Sequence, residues 1–294
     1  KLPEPGSDPV RSVAARKGQH VVPIQTGGKP PNLFLVHGAG GNVLGFRDLS
    51  HYFGKDQPVY GLQARGVDGK QAPHESILEM ATAYLAELRE VQPHGPYYLG
   101  GYSGGGVVAY EMAQQLRAVG EPVAFVGLID SWCTQMKRRN KVARALLHAG
   151  RVVRRGPGYP INILRMKWER RKSARESQEA RQEGGVMPQA MRGQEVQFAF
   201  ERAFESHRVA PYDGRVWLFR CTDHDLGTRY VFEEDLGWRH FVRDLSVTQC
   251  PGNHYSMCTE PNVQVLCAHI MAAVDDAMAT NGAVTAAGGN GVAR

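Results

Sequence analysis

The sequence predicts an α/β fold: a mostly parallel central sheet with helices on both faces and one inserted helical lid. Three observations predict it. Short, continuous apolar runs such as Leu33–Val36 and Val123–Ile129 recur along the chain, as strands buried on both faces do. Segments of helical period separate these runs, so successive strands must cross over and lie parallel. The alternation is interrupted once, over residues 134–194, by a stretch of different composition.

Residues 1–20 carry Pro3, Pro5, Gly6 and Pro9 without periodicity and read as a flexible linker. The folded unit is expected over 21–279. Val21–Ile24 reads as a short edge strand, because Pro23 lacks the N–H that a central position needs. Leu33–Val36 is the first central strand, and it runs into His37-Gly38-Ala39-Gly40-Gly41-Asn42. Small residues there let the backbone approach a substrate carbonyl, and His37 is expected to shape the loop. The loop contains neither Gly-x-Gly-x-x-Gly nor Gly-Lys-Ser/Thr, which argues against nucleotide binding. Leu44–Phe53 reads as a helix, Pro58–Leu62 as a strand, and Gly66–Pro73 as a loop. In Ser76–Val91, apolar residues from Ile77 to Val91 recur at three and four, and Ser76 with Glu79 forms a capping box.

Pro96–Gly100 reads as a buried strand and Val107–Leu116 as a helix. Between them stands Gly101-Tyr102-Ser103-Gly104-Gly105. Strand, Gly-x-Ser-x-Gly, helix is the context of a nucleophile elbow, in which a sharp turn presents the serine hydroxyl above the sheet. Pro122–Ile129 is the next buried strand and ends on Asp130-Ser131. A carboxylate there is placed to hold a histidine. Asp223 or Asp225, after the strand within Gly214–Cys221, is the alternative acid. Glu195–His207 reads as a helix. Leu245–Cys250 is the last strand and leads into Pro251-Gly252-Asn253-His254-Tyr255. Pro261–Met278 is a closing helix with proline suited to its first turn, and the Gly/Ala-rich residues 280–294 are expected to be disordered.

Ser103, Asp130 and His254 thus each follow a predicted strand, where catalytic groups gather in such sheets, in the chain order Ser, Asp, His of an α/β-hydrolase. In that arrangement His254 takes the serine's proton and returns it to the leaving group, and Asp130 orients the imidazole. Gly104 and Ala39 would supply the oxyanion-hole N–H groups. His207 and His269 lie in helical patterns, and His224 and His240 do not follow the final strand, so they rank below His254.

Composition bounds the rest. The 294 residues are 42% hydrophobic and 22% charged, which suits one large domain or two small ones. No apolar run approaches the roughly 18 residues of a membrane span, so no membrane partner is expected. The chain begins at Lys1 with no apolar h-region, which predicts no signal peptide and a piece of something longer. Cys133, Cys221, Cys250, Cys258 and Cys267 are odd in number and irregular in spacing, which predicts neither a disulfide framework nor a zinc site and favours a cytoplasmic protein. Residues 134–192 hold 16 Lys/Arg against 4 Asp/Glu, a net +12; the whole chain is +6, so the remainder is −6. This basic insertion carries Ile161, Leu164, Met166 and Trp168, breaks at Gly156–Pro160 and Gly184-Gly185, and reads as a lid. Its arginines are not interleaved with aromatics, which argues against nucleic acid.

Taken together, Leu35–Gly41, Val59–Gly66, Gly100–Gly105, Leu128–Ser131 and Pro251–Tyr255 resemble the thioesterase domains that end polyketide synthases and nonribosomal peptide synthetases. The resemblance spans residues 20–278 and is weakest over 134–192. It implies that Asp130 is the acid and that a mobile helical lid follows its strand. It further implies an acyl or peptidyl substrate held as a thioester on a carrier's phosphopantetheine arm, an upstream carrier domain as partner, release as acid or macrocycle, and no metal or diffusible cofactor. The elbow departs from many such domains in carrying glycine, not a larger residue, after the serine. A serine esterase acting on free small esters, a free-standing editing thioesterase and a non-catalytic α/β binding module are the rival readings.

Overall fold

The computed structural model describes residues 20–156, 158–182, 189–223 and 230–288. Residues 1–19 of the linker expected over 1–20, residues 289–294 of the expected tail, and Gly184-Gly185, His224 and Asp225 lie outside the described residues.

Seven strands form one sheet: β1 (Val21–Gln25), β2 (Leu33–Val36), β3 (Val59–Leu62), β4 (Tyr97–Tyr102), β5 (Val123–Ile129), β6 (Val216–Asp223) and β7 (Leu245–Asn253). Their order is β1-β3-β2-β4-β5-β6-β7. Only β1 runs antiparallel, pairing with β3 at the edge, where the register shifts between Pro23 and Gln25. The other pairings are parallel. The elbow strand β4 therefore lies between β2 and β5, the strands that lead into the glycine-rich loop and into Asp130.

The strand side chains alternate between two cores. Phe34, Val36, Tyr97, Leu99, Val126 and Leu128 point to the face covered by helices α2 (Ile77–Val91) and α3 (Gly105–Ala118). Leu33, Leu35, Tyr98, Phe125 and Ile129 point to the opposite face, under α1 (Gly45–Tyr52) and the C-terminal α7 (Asn262–Gly288). Period two sends neighbouring residues to opposite sides, and both sides are buried, which is why these strands are apolar throughout. The Ser76 side chain caps α2 through the Glu79 N–H.

Two boundaries differ from the sequence reading by more than a helical turn. The closing helix continues past Met278 to Gly288, so residues 280–288 of the stretch expected to be disordered are helical; the extension is rich in alanine, a strong helix former. By length and composition its Asn262–Asn281 stretch passes for a membrane span, but Val263, Leu266, Ile270 and Val274 are buried against the sheet.

The insertion after β5 contains α4 (Lys141–Arg155), α5 (Gly158–Gln182) and the start of α6 (Gln189–Ser206). Gly156, at φ 72° and ψ −176°, ends α4 in a positive-φ conformation open essentially to glycine alone. The helix read from Glu195 begins six residues earlier, so α6 crosses the expected lid boundary at 194. Its first half belongs to the insertion, while Ala199, Phe200 and Ala203 are buried beside the sheet.

Candidate active site

The site rests on two residues in unusual backbone conformations. Ser103 has φ 57° and Asp130 has φ 42°, both in the left-handed region that non-glycine residues seldom adopt. Each is held there by a neighbouring strand: the Ser103 N–H donates to Ile129 O at 2.8 Å, and the Asp130 N–H to Phe219 O at 2.7 Å. The turn after β4 is too tight for side chains nearby. A Cβ at Gly101 would stand 2.2 Å from Gly105 O, and one at Gly105 would stand 2.1 Å from His37 O. The glycines of the motif are thus demanded by backbone meeting backbone.

Asp130 is fully buried and accepts three hydrogen bonds. His254 Nδ1–H reaches Oδ2 at 2.6 Å. The Cys221 N–H reaches Oδ1 at 3.0 Å, and the Cys221 thiol reaches Oδ2 at 3.3 Å. Burial alone would raise the carboxyl's pKa, but the bonds from His254 and Cys221 outweigh it and hold it below its ordinary value. It stays an anion. Because His254 spends its Nδ1 proton on Asp130, Nε2 is left as an acceptor, 3.1 Å from Ser103 Oγ.

His254 is braced on several sides. Tyr102, next to the serine, stacks on the imidazole at 5.0 Å and 19° and donates its hydroxyl to the His254 carbonyl. Burial pushes the Tyr102 hydroxyl pKa well up, so it remains a neutral donor. Trp132 lies 5.4 Å from the ring on another side. Beneath the glycine-rich loop, His37 Nδ1–H donates to Gly38 O at 2.6 Å, and Tyr84 OH donates to His37 Nε2 at 2.6 Å. Burial keeps His37 neutral, with its pKa lowered to about 4. His37 thus ties the loop to α2 and stays apart from Ser103.

These groups open onto a cavity of about 670 Å³ lined by Ala39, Ser103, Gly104 and His254, with Trp132, Phe200, Phe204 and Tyr230 among its walls. The structure brings together all five residues singled out from the sequence: Ser103, Asp130 and His254 by direct contact, Gly104 and Ala39 in the same wall. It leaves out Asp223, which sits at the exposed end of β6. His207 faces Glu111 at 3.7 Å, and His269 and His240 lie on α7 and in a short turn.

Three contributors escape sequence reasoning. Cys221 carries no motif and is found only through the register of β6 beside β5. Trp132 lies in irregular chain after β5. The α6 residues Gln197, Phe200, Glu201 and Phe204, all lining the cavity, do carry a signal: their spacing of three and four puts them on one helix face.

A parallel sheet with a Ser-His-Asp constellation at its strand ends defines an α/β-hydrolase of the serine type. The chain belongs, more narrowly, to the thioesterase domain family, whose model matches residues 31–274. It is 44% identical over 120 residues to the atromentin synthetase invA1 of Paxillus involutus, covering 41% of this chain and 12% of that one. Among solved structures it is similar to the NocB thioesterase domain from the nocardicin cluster, at 27% identity and a TM-score of 0.60, over 87% of this chain and 99% of that one. A four-domain nonribosomal peptide synthetase shares the fold at 24% identity and a TM-score of 0.66, over 88% of this chain and 21% of that one. The chain therefore spans about an eighth of the length of the atromentin synthetases it matches.

Proposed function

We propose that this domain releases an acyl or peptidyl chain from the phosphopantetheine thioester of an upstream carrier domain, through an acyl-enzyme on Ser103. The observation that carries the reading is the continuous contact Asp130–His254–Ser103, at 2.6 and 3.1 Å, at the wall of a cavity large enough for an acyl chain.

Ser103 Oγ attacks the thioester carbonyl while His254 Nε2 takes its proton. The tetrahedral oxyanion is met by the N–H groups of Gly104 and Ala39; loss of one such donor typically costs about 3 kcal/mol. The C–S bond breaks, and His254 hands its proton to the departing pantetheine sulfur. Water, or a nucleophile within the chain, then attacks the oxyester, with His254 again taking the proton, and Ser103 Oγ leaves with it. Asp130 steadies the imidazolium in both halves. These steps need no metal and no diffusible cofactor. The basic insertion meets the carrier's acidic surface or the arm's phosphate, as its net +12 over 134–192 favours.

The test is kinetic. Purified domain is given one acyl group in three forms: on a carrier, on free pantetheine, and as a simple oxyester. The reading expects kcat/KM to fall in that order. Preference for the oxyester over both thioesters would assign the same triad to a small-molecule esterase.

A further inference from the structure

We infer that α6 is a positioning element, seated on the oxyanion machinery by side chains that enter gaps left by missing Cβ atoms. The inference deepens the thioesterase reading and rests on it for its catalytic consequence. Three residues of α6, spaced four apart, each fill such a gap. A Cβ on Gly69 would lie 2.3 Å from Arg192 Nε, one on Gly41 would lie 2.4 Å from Val196 Cγ1, and one on Gly104 would lie 2.3 Å from Phe200 Cε1. Arg192 also donates to Asp68 O at 2.8 Å, which secures the first seat. Spacing of four is one helix face, so a single stripe of α6 lies on the loop after β3, on the oxyanion loop after β2 and on the elbow.

Gly104 is the informative seat. Gly41 and Gly69 have φ of 79° and 75° and would be glycine on backbone grounds alone. Gly104 has φ −59° and ψ −23°, which any residue adopts. Its lack of a side chain is explained by the ring that occupies the space. Phe200 is 3% exposed and packs edge-on against His37 at 5.5 Å. One ring therefore touches both the residue that anchors the oxyanion loop and the residue that follows the nucleophile. It also forms cavity wall beside Ser103. The glycine after the serine, a departure noted from the sequence, is matched by an aromatic from the second half of α6.

Phe200 is accordingly a positioning residue. It holds the two N–H donors in register and sets the width of the acyl pocket at the reacting carbonyl. A methyl at position 104 must displace the ring and lift α6, since overpacking of a filled site is not absorbed without a shift.

A double-mutant cycle of Gly104→Ala and Phe200→Ala decides this, with Phe200→Leu as a milder partner in case the alanine variant folds poorly. Two quantities are read: the urea midpoint, and the rate at which a fluorophosphonate probe labels Ser103. With Phe200 present, Gly104→Ala is expected to lower the midpoint and slow labelling roughly ten- to hundredfold. With Phe200 truncated, the same change should leave the midpoint level and slow labelling by no more than about threefold. Equal losses in both backgrounds, or none in either, would overturn the inference. A wild-type domain that unfolds cooperatively yet never labels would defeat the Ser103 reading, while the midpoints still decide whether the seat exists. Phe200→Ala should also raise the kcat/KM ratio of a bulky over an acetyl pantetheine thioester. An unchanged ratio would remove Phe200 from the pocket wall.

Discussion

The sheet core and the outer helices of the insertion contain the same kinds of apolar side chain and use them in opposite ways. In the core, Val36, Leu99, Val126 and Leu128 are completely buried, each pointing to a helix-covered face. On α4 and α5, Val142, Leu146, Val153, Ile161, Leu164 and Trp168 are exposed, Val153 at 85%. Burying a side chain of this size contributes about 1.5–3 kcal/mol, and α4 and α5 forgo most of it. α6 stands between the two regimes, exposed at Gln197 and buried at Val196, Ala199 and Phe200. The difference teaches where geometry is specified. Residues tied to the core have positions set by strand register, whereas α4 and α5 are linked to it chiefly through α6 and local hydrogen bonds such as Arg139 Nε to Tyr230 O at 2.9 Å.

If that contrast is right, perturbations should shrink in effect from the strand ends outward. Asp130→Asn leaves the packing in place but forces the wrong tautomer on His254. Its kcat with a pantetheine thioester should fall about 10⁴-fold, with the unfolding midpoint moved far less. A loss under tenfold would show that the imidazole is oriented by something other than Asp130, and would separate site geometry from strand register.

The next largest effect comes from acid. His37 is neutral in the fold, with a pKa lowered to about 4 from the ordinary 6.5, so the unfolded chain binds its proton first. Stability from this residue is present above pH 6.5 and is lost as pH falls from 6.5 towards 4, by about 3 kcal/mol. Unfolding free energy measured across that window should decline less steeply in His37→Gln than in the wild type. Parallel slopes would mean that the buried ring plays no part.

Cys221→Ala sharpens the comparison at finer scale. It removes the thiol donor but keeps the backbone N–H to Asp130. A loss of one weak donor corresponds to about 1 kcal/mol, or several-fold in kcat. The effect should appear in kcat rather than KM, because Asp130 bears on the imidazole and not on substrate.

Smallest is the insertion. Lys141, Arg154, Arg171 and Arg175 are exposed on α4 and α5. Reversing all four to glutamate should leave turnover of free pantetheine thioesters within about twofold, since exposed charges contribute little individually. KM for carrier-borne substrate should rise several-fold at low salt and recover as salt is added. An unchanged KM would take the carrier-docking role away from the insertion.

The same gradient describes how much the sequence revealed. All seven strands, and the positions of Ser103, Asp130 and His254 at strand ends, were legible, because a doubly buried parallel strand is a continuous apolar run and the three candidate residues occupy the turns that end such runs. Between Asp130 and Asp223 the residues alone left the choice open, since both follow apolar strands; the family resemblance favoured Asp130, and it is Asp130 that His254 meets, at 2.6 Å. Cys221 was invisible, since only the register of β6 beside β5 brings it to Asp130. The start of α6 was misplaced because Gln189–Gln194 has no apolar periodicity of its own. The seating of Phe200 on Gly104 joins positions 96 residues apart, a contact no local pattern encodes.

Covalent chemistry at Ser103 is the centre of the proposed function, and intact mass spectrometry reads it. The domain is incubated with a short acyl-pantetheine thioester, wild type beside Ser103→Ala. The expected result is a mass increase equal to the acyl group on the wild type alone, followed by free acid or cyclised product as the adduct decays. Thioester turnover that proceeds equally in Ser103→Ala, or that leaves no acyl adduct at any time on the wild type under rapid quench, would contradict it.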